Sequence, residues 1–168
     1  MKYGFYLITL ILISCSNDNS EQNATSPLLG KWETQACQEK IDSSTTPSLV
    51  TFSKATYEFL VNGDILFSPN SYTDSSCTII AFITLSPNTG IAKFQDLGET
   101  TLEEGISGNR LNIQMQIPDE TLSTNGFYTI NNNILCFSHS FIFTSSSFGL
   151  TVNEIAPIDF SNCLEPKP

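Results

Sequence analysis

His139 stands between Ser138 and Ser140, which puts an imidazole beside two hydroxyls, the ingredients of a nucleophile and its base. On a strand, adjacent side chains point to opposite faces, so neither serine can share a proton with this histidine. Asp74 lies in the run Tyr72-Thr73-Asp74-Ser75-Ser76-Cys77, where an aspartate shapes a turn by accepting hydrogen bonds from the backbone that follows it. Glu103-Glu104 and Asp119-Glu120 are paired carboxylates. Glycoside hydrolysis needs two carboxyls facing one another across a bond, which sequence neighbours do not do. There is one histidine, and the cysteines are widely spaced with no Cys-x-x-Cys. That argues against a zinc site and against a dithiol redox centre. No catalytic residue, metal ligand or cofactor loop emerges, so the expectation is a protein that is not an enzyme.

The elements that carry these residues belong to a chain of 168 residues, enough for one domain with a tail. Seven basic and 17 acidic side chains give a formal net charge of -10. Nucleic acid is disfavoured, because it requires clustered Lys and Arg to displace counterions. Polybasic docking on anionic lipid is disfavoured for the same reason. Charged residues are only 14% of the chain, too few for disorder driven by charge. Twelve Phe residues, with abundant Ser, Thr and Asn, fit a β-rich secreted protein.

Lys2 precedes a ten-residue apolar run, Gly4 to Ile13. It is too short to cross a bilayer, which takes about 20 residues, and has the length of a signal-peptide core. The run ends in Leu12-Ile13-Ser14-Cys15, which resembles the bacterial lipobox. The resemblance implies a diacylglyceryl group on the Cys15 sulfur, cleavage after Ser14 and acylation of the new amino terminus. Residues 1–14 are thus expected to be a signal peptide. Residues 15–26 hold no aliphatic side chain larger than Ala24, so they read as a flexible tether. Ser16, rather than Asp, follows the lipidated Cys. By resemblance to enteric sorting, this favours the outer membrane.

The body, residues 27–163, is expected to be all-β, with residues 164–168 as a tail. Leu111, Ile113, Met115 and Ile117 alternate with Asn112, Gln114 and Gln116, the pattern of a half-buried strand. Tyr57, Phe59 and Val61 precede an Asn62-Gly63-Asp64 turn, and Ile65 to Phe67 follow it. Cys77 to Leu85 is apolar on both faces, which predicts a central strand. Pro87-Asn88-Thr89-Gly90 predicts a turn into a strand over Ile91 to Leu97, and Ser107-Gly108-Asn109 another turn. Asn131-Asn132-Asn133 separates two apolar runs as a hairpin would. Phe141 to Thr144 and Phe148 to Val152 read as short strands. Thr100-Thr101-Leu102-Glu103-Glu104 has the form of a capping box, which Gly105 and Gly108 would limit to two turns. Ile155 to Pro168 shows no helical stripe and is expected to lie across the body. Eight to ten strands with frequent turns predict an antiparallel up-and-down barrel or a sandwich.

With Cys15 taken by lipid, Cys37, Cys77, Cys136 and Cys163 remain. Outside the cytosol these predict two disulfides, with three connectivities open. Cys37–Cys77 with Cys136–Cys163 is favoured, because a meander returns Cys77 to the end of the sheet where Cys37 leaves it.

Leu29-Gly30-Lys31-Trp32 opens the body and holds the only Trp. Gly-x-Trp on a first strand resembles the lipocalin signature. There the Trp packs across one end of a barrel and the Gly allows close strand approach. With Cys37 and the Tyr72 to Cys77 run, the stretch from Leu29 to Cys77 resembles the barrel domain of the adenomatosis-polyposis-coli down-regulated Wnt antagonist and related bacterial secreted proteins. The resemblance implies a lipocalin-like barrel whose apolar cavity takes lipid. Thr73-Asp74 lies too early to be the Thr-Asp-Tyr motif of strict lipocalins, so the likeness is to the wider lipocalin-like group. Arg110, the only Arg, is either a cation–π partner of Trp32 or an exposed turn charge.

The expected function is that of a membrane-anchored envelope lipoprotein whose β-barrel binds a hydrophobic small molecule or lipid. The alternative is a structural or protein-interaction lipoprotein with a solid core. An apolar patch on its surface and purification without ligand would distinguish it.

Overall fold

A computed structural model describes residues 23, 25–44, 46–82, 88–102, 105–144, 148–151 and 157–168. Among the described residues there are twelve strands: β1 (Gly30–Thr34), β2 (Gln38–Asp42), β3 (Leu49–Phe59), β4 (Asp64–Tyr72), β5 (Ile80–Phe82), β6 (Asn88–Thr101), β7 (Ser107–Ile117), β8 (Glu120–Asn131), β9 (Ile134–Ser138), β10 (Phe141–Phe143), β11 (Phe148–Leu150) and β12 (Ile158–Pro166). Ten of them form one antiparallel sheet in the order β2-β3-β1-β12-β9-β8-β7-β6-β4-β5. A further β3–β4 pairing, in register from Phe52↔Tyr72 to Phe59↔Ile65, joins the two arms of that sheet. Eight strands thus run in a ring, while β2 and β5 extend past it on β3 and β4 as a flap.

Alternation decides what faces inward. Tyr57 and Phe59 on β3 lie opposite Phe67 and Ile65 on β4, and Phe94 lies opposite Ile113. Tyr128 lies opposite Phe137. Leu111, Leu135 and Leu164 are fully buried with them. These side chains share the inner face, because partners in an antiparallel pair point the same way. The outer face takes the intervening polar residues. There Glu33, Lys54, Glu165 and Lys167 form a chain of ion pairs across β1, β3 and β12, with Lys167 Nζ 2.5 Å from Glu33 Oε1 and Lys54 Nζ 3.0 Å from Glu165 Oε1. The carboxylates outweigh desolvation and raise the Lys54 pKa.

The β10–β11 hairpin belongs to the second, two-stranded sheet and folds into the ring. Phe143 stacks on Phe137 with ring centres 4.2 Å apart and meets Tyr57 edge-on at 4.9 Å. The Tyr57 hydroxyl donates to the Thr144 carbonyl over 2.6 Å, and burial raises the Tyr57 pKa. Phe141 packs over Gly126 on β8. A Cβ at Gly126 would lie 2.5 Å from both Phe141 Cε2 and Ser138 Oγ. Gly126→Ala is therefore expected to destabilise the protein by about 1–3 kcal/mol through overpacking. An unchanged urea midpoint would show that the hairpin does not sit on β8 as described.

Several expectations hold. The turn at Asn62-Gly63-Asp64 joins β3 to β4, and the asparagine run joins β8 to β9 with Asn132 and Asn133 at positive φ. The β7 alternation buries Leu111 and Ile113. Other expectations are corrected. Ser107-Gly108-Asn109 is not a turn but the start of β7. Thr100 and Thr101 end β6, because their backbone pairs with Gly108 and Ser107, and the helical signal is confined to one turn in which Gly105 N donates to Leu102 O at 3.3 Å. The run from Cys77 gives only the short β5 at the sheet edge instead of a central strand; residues 83–87 lie outside the described ones. Asn88 to Gly90 already belong to β6. The C-terminal segment does not lie across the body: β12 is a ring strand between β1 and β9, and it carries the domain past Cys163 to Pro166. Leu164 is fully buried and Lys167 N donates to Lys31 O, so residues 164–167 are not a free tail.

Both favoured cysteine pairs are at bonding distance. Cys136 and Cys163 lie directly opposite on β9 and β12, with sulfurs 2.03 Å apart. Cys37 and Cys77, 2.09 Å apart, tie the β1–β2 corner to the loop between β4 and β5. Cys77 sits in that loop with φ of 54°, not at a strand start.

Candidate functional site

The N-terminal end of the described chain forms the most developed polar cluster. Asp96 on β6 lies on the inner face, opposite Leu111. Its Oδ2 accepts from the Ser26 hydroxyl and from the Tyr128 hydroxyl, each over 2.6 Å, and its Oδ1 accepts from Gly98 N at 2.9 Å. Asn23 completes the arrangement: its Oδ1 accepts from Asp96 N at 3.1 Å, and its Nδ2 donates to Phe94 O at 3.2 Å. Asn23, Ser26, Asp96 and Tyr128 are all buried. Burial, then the Asp96 hydrogen bond and charge, raise the Tyr128 pKa, so Tyr128 stays a donor at neutral pH. No buried side-chain nitrogen or oxygen of the cluster lacks a hydrogen-bond partner, as burial requires.

These contacts make Asn23 and residues 25–28 a strap over one end of the ring. Leu28 is fully buried, and its carbonyl accepts from Trp32 Nε1 at 2.7 Å. Trp32 faces inward opposite Tyr57 and closes the same end. The expected tether 15–26 is thus not free up to its last residue, since Asn23 and Ser26 are held in the ring; residues 15–22, with Cys15, lie outside the described residues. Gly30 differs from expectation in its reason. No atom lies within 4 Å of a Cβ placed there, so close strand approach does not demand glycine; a φ of 115° does. Arg110 is exposed on β7, four strands from β1 around the ring, and does not stack on Trp32.

Beside the strap, two open clefts of about 500 and 390 Å³ run along the bulge between Asp96 and Glu99. Pro27, Glu99 and Asn109 line both, and Thr101, Ser107 and Thr129 extend the larger one. Their walls are mostly polar, with the Asp96 and Glu99 carboxylates among hydroxyls and amides, and they carry no aromatic platform.

The remaining sequence candidates separate in space. Ser138 and Ser140 are fully buried, while the His139 side chain is exposed, so the three do point to opposite faces. His139 Nδ1 lies 3.3 Å from Asp159 Oδ2. The Ser161 hydroxyl donates to the same carboxylate over 2.6 Å, not to the imidazole, so no nucleophile–base contact exists there. Ser161, helped by His139, holds Asp159 below the usual carboxylate range. Asp74 is a turn-former: Ser76, the Thr78 amide and hydroxyl, and the Ile79 amide all donate to it. These donors hold its carboxyl far below the ordinary value. Among the described residues, no three His, Cys, Asp or Glu side chains converge as metal ligands would.

At the opposite end from the strap, the flap leaves large apolar side chains in water. Ile41 and Val50 are cross-strand partners on one face and both are exposed; Leu49, Ile79 and Ile80 are exposed nearby. Neither sequence alternation nor turn signals disclose this group, because Ile79 and Ile80 read as interior residues. Comparison with known proteins finds no match: no family model, no curated protein and no solved structure is similar to this chain.

Proposed function

We propose that this chain is a non-enzymatic lipoprotein of the bacterial cell envelope, held in the outer membrane by lipid on Cys15, whose lipocalin-like barrel has a solid core and acts through its outer surface on another envelope protein. The observation that carries the reading is the content of the ring. Tyr57, Phe59, Phe94, Phe137, Phe141 and Phe143 fill it with rings in mutual contact, the strap closes one end, and the β10–β11 hairpin enters from the other. A core packed in this way leaves no room for a lipid chain unless the hairpin withdraws. The exposed apolar flap is the kind of surface that marks protein contact sites. Eight-strand ring closure and the inward Trp32 support the lipocalin-like assignment. Durable anchoring follows from the number of buried CH₂ groups on two or more acyl chains, each contributing about 0.8 kcal/mol.

The second reading, a hydrophobic small molecule inside the barrel, follows from the signature at Gly30 and Trp32 and requires displacement of Phe141 and Phe143. Native mass spectrometry of the purified protein with added fatty acids and isoprenoids separates the two. The bare chain mass is expected; a stoichiometric lipid adduct inside the folded domain would overturn the solid-core reading. The anchor has its own test. The mature protein is expected to begin at an acylated Cys15, and Cys15→Ser is expected to carry no acyl mass and to keep residues 1–14. Cleavage elsewhere, with an unmodified Cys15, would remove the lipoprotein assignment.

A further inference from the structure

We infer that the domain stands on the membrane in a fixed polarity, strap end inward and flap end outward, so that the exposed isoleucines of the flap are held away from the bilayer that anchors the chain. This rests on the lipidation of Cys15 proposed above and adds what the fold imposes on it. Only eight peptide steps separate Cys15 from Asn23, a span of at most about 28 Å fully extended. From Asn23 on, the chain is fastened: to Phe94 and Asp96 by Asn23, to Asp96 by Ser26, and to Trp32 by the Leu28 carbonyl.

The fastening lies at one end of the ring. A Cβ on Gly63, in the β3–β4 turn, would lie 3.1 Å from the Asn23 amide nitrogen. The β6–β7 and β8–β9 connections and the C-terminal end of β12 lie at this same end, because the paired strands are antiparallel throughout. The flap lies at the other. β3 runs ten residue steps from Phe59 to Leu49, which is about 33 Å along the strand. The flap end is also acidic: Asp74, Asp119, Glu120 and Asp159 sit in its loops and strand starts. Carboxylates there are repelled by anionic lipid, which reinforces the polarity the strap sets. A free tether reaching from Cys15 to β1 would allow the body to tumble. The strap shortens that tether and fixes its exit point.

The test uses the full-length lipoprotein, expressed with its own leader and reconstituted in phosphatidylcholine vesicles that carry an acceptor-labelled lipid. A donor dye is placed on Val61→Cys, in the exposed β3–β4 turn, or on Ile41→Cys, exposed on β2. Energy transfer to the bilayer is expected to be clearly stronger from position 61 than from position 41. Asn23→Ala with Ser26→Ala, which frees the strap, is expected to narrow that difference. Equal or reversed transfer in a protein whose acylation at Cys15 is verified by mass would overturn the polarity and leave the anchor standing. Absence of the acyl mass, with the chain in the soluble fraction, would overturn both.

Discussion

Phe137→Ala is expected to cost about 3–5 kcal/mol, the range for deleting a fully buried Phe side chain. The ring of Phe137 meets four other aromatic rings: Phe59 at 6.2 Å, Tyr128 at 6.3 Å, Phe141 at 6.1 Å and Phe143 at 4.2 Å. It therefore joins the ring wall to the inserted hairpin. Truncation removes transfer free energy and leaves a cavity that the sheet cannot collapse, because β8 and β12 hold β9 on both sides. The Cys136–Cys163 bridge next to it further limits relaxation. Phe137→Leu is expected to lose much less, since most of the volume is kept. Urea denaturation of both variants measures the difference. A loss below about 1 kcal/mol for the alanine variant would mean that the interior is looser than a packed core, and would favour a ligand space after all. The same variant is expected to gain affinity for a small apolar probe such as benzene, because a dry cavity lined by aromatic and aliphatic groups admits one.

Removing the Asp96 carboxylate is expected to cost about 2–4 kcal/mol, because hydrogen bonds to a charged group contribute about 1.5–3 kcal/mol each and the abandoned donors stay buried. Asp96→Ala strands the Tyr128 hydroxyl and the Ser26 hydroxyl together, and it frees Gly98 N. Tyr128→Phe removes a single donor and should cost less. The double variant should cost less than the sum, since the partner of the missing group is then gone as well. Thermal unfolding gives the cycle. Limited proteolysis gives a second reading: cleavage within residues 25–28 should rise in Asp96→Ala and stay low in Tyr128→Phe. A strap equally protected in both would show that Leu28 and Trp32 hold it without the carboxylate.

Local signals predict the structure where the outcome depends on residues close in sequence. Asn62-Gly63-Asp64 and Asn131-Asn132-Asn133 favour positive φ and side-chain-assisted reversal, and each makes its turn. The alternation along β7 places Leu111 and Ile113 inside because the strand period alone assigns the face. The failures share a cause. Ser107-Gly108-Asn109 has turn composition, yet β6 and β8 pair with it on both sides and extend it. Thr100 and Thr101 have helix-start composition, yet pairing with β7 claims their backbone. Ile79 and Ile80 have interior composition, yet they stand at the sheet edge in water. In each case a partner distant in sequence, or the lack of one, overrode the local preference.

The sequence by itself determined the all-β character, the turns at Asn62-Gly63-Asp64 and Asn131-Asn132-Asn133 and the expectation of an envelope anchor at Cys15, and it favoured one cysteine pairing among three. These depend on period, composition and short motifs. Tertiary structure alone decided that β3 meets β4 and closes eight strands into a ring, and that β12 enters between β1 and β9. It also decided that the β10–β11 hairpin turns inward, that Asn23 leaves the tether for the backbone of Phe94 and Asp96, and that Ser26 leaves it for the buried Asp96 carboxylate. A period of two says which face a side chain takes but not which strand lies beside it. Polar residues such as Asn23 and Ser26 read as solvated until Asp96, some seventy residues away, supplies the amide and the carboxylate that stabilise their burial.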